Sequence, residues 1–216
     1  MSTLAEIEKR AAVSQLQCVG IAPVQKDDGL REDIRTVVLL APREPAFWPQ
    51  FQLSPEYLDG AADPLDRWSR RVIGGMACDL GVKAVFPFGG PPYRPFLRWA
   101  LRSGQCWSSP VGLLVHEAAG LFISFRGAIA LTEELGPRVA VQPCLTCVTQ
   151  PCRAACPVAA LTPAGYDVPG CHAYLDTEPG KDCMTQGCAV RRACPVGAAT
   201  RAPEQSAYHM KAFHPS

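Results

Sequence analysis

The chain has 216 residues, of which 48% are hydrophobic and 19% are charged, and its net charge at pH 7 is +1. This length fits one large domain, or one domain with a small appendage, and the near-neutral charge argues against a nucleic-acid surface. No apolar stretch approaches the ~18 residues of a membrane span and the charged N-terminus lacks a signal core, so we expect a soluble, cytoplasmic protein that binds neither nucleic acid nor membrane.

The first 135 residues predict a mixture of helices and strands. Short apolar runs at residues 18–22, 36–41 and 82–87 are bounded by polar or proline-containing loops, which is typical of strands. Between the second and third runs, Pro64 suits the first turn of a helix and Gly81 suits the position just after its end. The apolar residues between them recur at helical spacing, so this segment predicts a helix that packs on the core.

A second helix at residues 95–103 precedes two more apolar runs, at 111–116 and 121–131. The tight connection between those runs predicts an antiparallel hairpin. The fold class expected from the whole pattern is α+β, an antiparallel sheet with flanking helices, followed by a small cysteine-rich module. Gly136 and Pro137 mark the expected boundary between the two.

Eight of the eleven cysteines fall within residues 144–194. They form two quartets that each close on a Cys-Pro pair, as expected for two 4Fe–4S clusters. In two-cluster ferredoxins the fourth cysteine of each motif binds the other cluster. By this rule one cluster takes Cys144, Cys147, Cys152 and Cys194, and the second takes Cys156, Cys171, Cys183 and Cys188. The other three cysteines, Cys18, Cys78 and Cys106, are expected to be core residues.

Other uses of the eight thiols stay open. The spacings C-x2-C-x4-C-x3-C-P and C-x11-C-x4-C-x5-C-P depart from the regular ferredoxin pattern. Structural zinc also takes cysteine quartets, but two zinc sites usually show paired C-x2-C knuckles and the sequence has one. Disulfides fit poorly with a reducing compartment, and a loop without metal has little apolar content to order it. Two 4Fe–4S clusters are therefore the expected cofactors.

Within the cysteine window, residues 156–161 read CPVAAL and residues 171–175 read CHAYL. This resembles the dicluster module of epoxyqueuosine reductase and its relatives, which carries a CP-x-x-A-L segment followed by C-I-S-Y-L. The resemblance covers about residues 141–200 and implies a ferredoxin-like module. That family uses an aspartate general acid after the strand that corresponds to 82–87, whereas residues 86–92 here contain no carboxylate. Epoxide reduction is therefore not carried over.

A second pattern runs from His116 to Gly127 as H-x3-G-x-aromatic-x3-R-G. It is similar to the decyanase/dealkylase family of intracellular cobalamin processing, and the similarity spans roughly residues 34–131. That family and epoxyqueuosine reductase share a flavin-reductase-like fold, an antiparallel sheet with flanking helices that holds a corrinoid or a flavin. The resemblance implies a cofactor-binding reductase domain in front of the ferredoxin-like module.

Three residues are candidate contacts to that cofactor, and each has a structural alternative. His116 contacts the cofactor or is a satisfied core or edge histidine. Arg126 lies among apolar neighbours and needs an anionic partner, either a ligand or an internal carboxylate. In the cobalamin-processing family the matching arginine contributes to the thiol-cosubstrate site. Trp107 stacks on a flat ring system or belongs to the core, where buried aromatic side chains are more often found.

The expected organisation is a corrinoid- or flavin-reductase-like domain at 1–137, the dicluster module at 138–200 and a polar tail at 201–216. We expect electrons to pass from the two clusters to a corrinoid or flavin in the first domain, which would make the protein an iron–sulfur oxidoreductase. No catalytic residue is assigned. One alternative is a non-catalytic ferredoxin-like carrier whose first domain serves docking or dimerisation, and another is a cobalamin chaperone whose clusters reduce the bound metal. The expected partner is a redox protein or a small-molecule acceptor, and a homodimer stays open.

Overall fold

The computed structural model describes residues 3–162 and 165–215. The chain divides into two compact units. The sheet unit comprises residues 1–106 and 124–140, and the cysteine unit comprises residues 107–123 and 141–216. The expected domain boundary at 137 lies close to residue 140, where the chain passes for the last time from the sheet unit into the cysteine unit. The segment 107–123 differs from the expectation, because it belongs to the cysteine unit.

The fold class is α+β, as predicted from the sequence. The strands of the described residues are β1 (Leu16–Pro23), β2 (Thr36–Pro42), β3 (Lys83–Val85), β4 (Cys106–Ser108), β5 (Leu114–His116), β6 (Gly127–Leu131), β7 (Leu161–Thr162) and β8 (Gly165–Tyr166). The α-helices are α1 (Thr3–Val13), α2 (Phe47–Gln52), α3 (Pro55–Leu58), α4 (Pro64–Leu80), α5 (Phe96–Arg102), α6 (Val168–Leu175), α7 (Lys181–Gln186), α8 (Ala189–Arg192) and α9 (Pro203–Phe213). No helix in these described ranges is both long enough and apolar enough to cross a membrane.

The sheet unit is built on four antiparallel strands in the order β1-β2-β6-β3. Strands β2 and β6 are buried along their whole length, because their side chains are apolar on both faces. Val38 pairs with Ile21 on one side and with Ile129 on the other, and all three side chains are buried. The apolar runs at 36–41 and 18–22 therefore form strands as predicted, and the run at 82–87 is shortened to β3.

Helix α4 confirms the helix predicted between Pro64 and Gly81. Pro64 occupies the first turn, where its missing N–H is not needed. Gly81 ends the helix in the left-handed conformation with φ of 65°, and its N–H donates to the carbonyl groups of Ala77 and Cys78. Trp68 on this helix packs edge-on against Phe47 with ring centroids 5.2 Å apart, which anchors α4 to the aromatic core of the sheet unit.

The hairpin predicted from residues 111–116 and 121–131 is wrong. Strand β5 pairs with β4, whereas β6 lies between β2 and β3 in the sheet unit. Residues 117–120 form a tight turn closed by the His116–Gly120 bridge, and residues 121–126 are not a strand. Leu121 and Phe122 are nevertheless buried. A short apolar run indicates burial, but it does not distinguish a strand from an irregular segment that packs on a core.

The cysteine unit has an apolar core to which the segment 107–123 contributes. Val111, Val115 and Leu121 pack there with Val190 of α8 and with two cysteines, Cys152 and Cys194. Residues 107–123 therefore supply apolar contacts to the cysteine window from outside it, while its need for a metal stays a prediction. The segment expected as a polar tail also has a fold of its own, since residues 203–213 form α9, which packs on α7.

Candidate metal centre

The first group of cysteines lies around short turns and the end of α8. Cys144 and Cys152 lie in two 3-10 turns that each begin with a proline, and Cys194 follows α8 and precedes Pro195. Burial raises the pKa of the Cys144 thiol most, and Cys152, Cys194 and Cys147 raise it further. Electrostatic influence of this kind requires proximity. These four thiols, which we call set 1, are therefore close to one another: Cys144, Cys147, Cys152 and Cys194.

Set 1 surrounds a cavity within the cysteine unit. The cavity contains about 360 Å³ of space between atoms, part of it open to solvent. Its walls include all four cysteines of set 1, the apolar side chains of Val115, Leu121 and Val196, and the prolines at 110, 143, 151 and 195. Four thiols directed around a space with apolar walls have the donor chemistry that a 4Fe–4S cluster requires.

The second group, which we call set 2, comes from three helices and one turn. Cys171 lies in α6, Cys183 in α7 and Cys188 at the start of α8, while Cys156 follows the second proline-led turn. Burial raises the pKa of the Cys171 thiol most, and Cys188, Cys156 and Cys183 raise it further. Set 2 is therefore Cys156, Cys171, Cys183 and Cys188.

Sets 1 and 2 have the same members as the two ligand groups predicted by the crosswise rule. Cys156 closes the first Cys-Pro motif in sequence but lies with the thiols of set 2. Cys194 closes the second motif but lies with the thiols of set 1. This exchange of the last cysteine is the arrangement that two-cluster ferredoxins use.

Hydrogen-bond donors surround the sulfur atoms of set 2. The backbone N–H of Ala160 donates to Cys156 Sγ over 3.2 Å, and the hydroxyl of Tyr166 donates to Cys171 Sγ over 3.2 Å. The backbone N–H of Ala189 lies near Cys183 and lowers the pKa of its thiol, although burial raises that pKa overall. N–H and O–H groups directed at sulfur stabilise a thiolate, the form that binds iron.

Arg191 brings a cation into the surroundings of set 2. Burial lowers the pKa of Arg191, and the neighbouring Cys188 and Tyr166 raise it. Its guanidinium donates a hydrogen bond to the backbone carbonyl of Leu121. A guanidinium stays charged in proteins, so Arg191 offers a positive charge that would offset thiolates nearby.

A single metal ion and a 4Fe–4S cluster require different spacings between the thiolates that bind them. Among the described residues, no three cysteine, histidine or carboxylate groups are close enough to hold one ion. A zinc site places its ligands about one ion at Zn–S distances of ~2.3 Å. In a 4Fe–4S cluster each thiolate binds a different iron, so the sulfur atoms stand farther apart than those around one ion. All eleven cysteines are free thiols.

His116 has a structural role in the turn that follows β5. Its Nδ1 accepts hydrogen bonds from the backbone N–H groups of Ala118 and Ala119, each over 3.1 Å. The proton of the neutral ring is therefore on Nε2, which is buried and makes no hydrogen bond among the described residues. Burial lowers the pKa of His116. The structure thus gives His116 the turn-forming role of its structural alternative, with one ring nitrogen still available as a donor.

Arg126 and Trp107 belong to different units, and each has partners within its own unit. Arg126 pairs with Asp66 of α4, with Nη1 and Oδ1 3.4 Å apart, so it has the internal carboxylate partner that was one of its alternatives. Trp107 is partly buried and packs against the apolar core of the cysteine unit. The three predicted cofactor contacts are thus divided between the sheet unit, with Arg126, and the cysteine unit, with His116 and Trp107.

The three remaining cysteines lie outside both sets. Burial raises the pKa of Cys18 to about 12, Cys106 is fully buried, and Cys78 is exposed, which corrects its expected place in the core.

Three residues near the two sets were not identified as site residues from the sequence. Tyr166 and Arg191 lie near set 2, and Gly120 packs against Cys194 of set 1. Tyr166 and Arg191 carry no sequence signal for this role, whereas Gly120 was visible as part of the H-x3-G pattern.

The comparisons with known proteins add no family. No protein-family model matches the chain, and no curated protein matches it significantly. The functional interpretation therefore depends on the geometry of sets 1 and 2.

Proposed function

We propose that the protein transfers electrons through two 4Fe–4S clusters, one held by set 1 and the other by set 2. The observation that carries the proposal is the grouping of the eight thiols into two quartets with the last cysteine of each motif exchanged. Neither zinc nor disulfide chemistry requires this exchange, whereas two-cluster ferredoxins use it.

Each part of the cysteine unit has a task under this proposal. A 4Fe–4S cluster supplies reversible one-electron oxidation and reduction. Val115, Leu121 and Val196 would keep water away from set 1. The donors from Ala160 and Tyr166 would hold the sulfur atoms of Cys156 and Cys171 in place and stabilise their negative charge.

We propose that the acceptor is a redox partner protein or a small molecule, so that the chain acts as a ferredoxin-like carrier. Leu145 and Val148 lie beside Cys144 and Cys147 in sequence, and they are 78% and 96% exposed. Exposed apolar side chains next to a ligand loop give a partner protein a surface to contact. His116 and Arg126 have structural partners, which supports this carrier over the cofactor-reducing enzyme.

One observation favours the second candidate, in which the clusters reduce a corrinoid or flavin bound by the sheet unit. The guanidinium groups of Arg70 and Arg126 lie over the ring of Phe88, at 5.0 and 6.0 Å from its centroid. Two cations beside an aromatic ring would suit an anionic, ring-containing ligand. A flavin-reductase-like fold for the sheet unit and a ferredoxin-like fold for the cysteine unit belong to the same proposal.

The electron-transfer proposal is tested by anaerobic purification followed by measurement of iron, sulfide and zinc per chain. Two clusters give about eight irons and an equal amount of sulfide. Their broad absorption should bleach with dithionite and return when an equivalent one-electron oxidant such as ferricyanide is added. Zinc in stoichiometric amount, or neither metal, would overturn the proposal.

The choice between carrier and reductase is tested with the same preparation. Flavin mononucleotide and cobalamin are titrated against the oxidised protein while the absorption spectrum is recorded. Saturable binding that Arg70→Ala weakens would favour the reductase. The absence of binding at high micromolar ligand supports the carrier.

A further inference from the structure

We propose that Tyr166 makes the cluster of set 2 the higher-potential member of the pair, by donating its hydroxyl hydrogen to Cys171 Sγ. This inference rests on the proposed function. It assigns a role to a residue that the sequence did not point to, and it predicts that the first electron added to the pair resides on set 2.

The hydrogen bond from Tyr166 is the only described bond to a sulfur atom of the two sets that comes from a side-chain hydroxyl. The oxygen and the sulfur are 3.2 Å apart. Reduction adds negative charge to a cluster and its thiolates, so a donor directed at sulfur stabilises the reduced form more than the oxidised form. Removal of the donor therefore lowers the reduction potential.

The ring of Tyr166 is held in place from two directions. Its backbone pairs with Leu161 across the short sheet of β7 and β8, and Leu161 packs on the apolar core of the cysteine unit. Its ring stacks on Phe213 of α9, with centroids 6.0 Å apart and an angle of 11° between the planes. Because these contacts involve the backbone and the ring, they persist when only the hydroxyl is removed.

The surroundings of the two sets also favour a higher reduction potential for the cluster of set 2 than for the cluster of set 1. Set 2 receives hydrogen bonds from the backbone N–H of Ala160 and the hydroxyl of Tyr166, and Arg191 lies close enough to Cys188 to influence its charge. In set 1, the described hydrogen bonds include none to a sulfur atom, and Arg153 lies close enough to Cys152 to favour its thiolate. Both sets have a cation nearby, so the hydrogen bonds to the sulfur atoms of set 2 make the difference, and such donors favour the reduced cluster. Set 2 is therefore expected to be reduced first.

The experiment is a potentiometric titration of the holoprotein with dithionite, followed by electron paramagnetic resonance of the reduced clusters. The wild type should give two separate one-electron steps. Tyr166→Phe should shift the higher of the two midpoints to lower potential, by more than the error of the titration, and leave the lower midpoint in place. The double variant Cys147→Ala with Cys194→Ala lacks two ligands of set 1 and should therefore lose that cluster. Its titration should retain only the reduction step at the higher potential.

Tyr174→Phe is the matched control. Tyr174 lies in α6 near Cys183 and Cys156, and the described bonds include none from its hydroxyl to sulfur. Both midpoints should be unchanged in this variant. Intact clusters whose higher midpoint does not respond to Tyr166→Phe, or whose lower midpoint responds instead, would overturn this inference alone. A protein without iron would overturn the proposed function and this inference with it.

Discussion

Gly120 packs directly against Cys194, the cysteine that closes the second Cys-Pro motif. A Cβ atom at position 120 would lie 3.0 Å from Cys194 Sγ and would overlap the carbonyl oxygen of Val196. Gly120 also has a φ of 57°, a backbone conformation that residues other than glycine rarely adopt. The turn after β5 is thus fitted to the loop that carries a ligand of set 1.

Gly120→Ala is expected to displace the Cys194 loop. Positive φ and a clash with backbone atoms should together cost about 2–4 kcal/mol of the free energy of unfolding of the cysteine unit. Because Cys194 belongs to set 1, we expect the variant to lose about half of its iron, as one cluster of two. Iron content and denaturant unfolding of the purified variant check both expectations.

Gly75→Ala is the control for this change. Gly75 lies in α4, no atom lies within 4 Å of the position that an alanine methyl group would occupy there, and its φ is not positive. Alanine in a helix interior should raise the free energy of unfolding by about 0.5–1 kcal/mol and leave the iron content unchanged. A full iron complement in Gly120→Ala would show that the turn does not position Cys194.

The sequence predicted those parts of the molecule that depend on local signals. Pro64 and Gly81 set the ends of α4, and the apolar run at 36–41 forms the central strand β2. The thiols that lie near one another are also the ones that the crosswise rule groups, and their binding of two clusters stays a prediction.

The parts that the sequence did not predict depend on tertiary contacts. Nothing in the apolar pattern of 107–123 indicates which unit it packs on, so Leu121 was assigned to a hairpin with the sheet. Tyr166 approaches Cys171 through the β7–β8 sheet, whose strands have two residues each. Strands of two residues are too short to show the alternation of apolar and polar residues from which strands are predicted. Helix α9 was missed because its buried residues, Gln205 and Ser206, are polar.

Asp28→Asn is expected to destabilise the sheet unit in a pH-dependent way. Burial alone raises the pKa of Asp28, but hydrogen bonds from the backbone N–H of Gln25 and from Arg102 lower the pKa below its ordinary value of 3.8. The Asp28 side chain is fully buried, and Arg102 Nη2 lies 2.7 Å from Oδ1. Loss of the charge should cost about 2 kcal/mol of the free energy of unfolding at pH 7.

The sign of the pH dependence follows from the lowered pKa. The charged form is favoured in the folded state, so its stabilisation is present above pH 3.8 and is lost as the pH falls through the lowered pKa. Urea unfolding of wild type and Asp28→Asn should therefore differ at pH 7 and converge in acid. Asp27→Asn, whose carboxylate is largely exposed, is the control and should change stability by less than about 1 kcal/mol. A difference that stays constant in acid would contradict the assignment.

Removal of the clusters is expected to affect the two units differently. Among the described residues, Leu121 is the one member of the cysteine unit within the twelve largest fully buried side chains. The sheet unit therefore has its own large core, whereas we expect the cysteine unit, with fewer large buried side chains, to depend on the proposed clusters for its order. After iron chelation, amide hydrogen exchange should become fast at 141–200 and stay slow in β2 and β6. Full protection of 141–200 in the apoprotein would contradict this expectation.

Phe213→Ala is expected to make the cluster of set 2 more sensitive to oxygen. Phe213 stacks on Tyr166 and packs edge-on against His172, with ring centroids 4.7 Å apart. Both neighbours lie beside Cys171, so loss of the ring should admit water and oxygen there. In air, about half of the iron should be lost several-fold faster than in the wild type, because one cluster of two is affected. Lys211→Ala, an exposed change in the same helix, should behave as the wild type does.

The iron content of variants that remove thiols set by set shows whether sets 1 and 2 each hold one cluster. Alanine at Cys147 and Cys194 removes two ligands of set 1, and alanine at Cys171 and Cys188 removes two of set 2. Each of these variants should keep about four irons, and a mixed variant with alanine at Cys147 and Cys171 should keep almost none. If the set 1 and set 2 variants lose all their iron while the mixed variant keeps half, the cysteines are partitioned differently and the account is wrong.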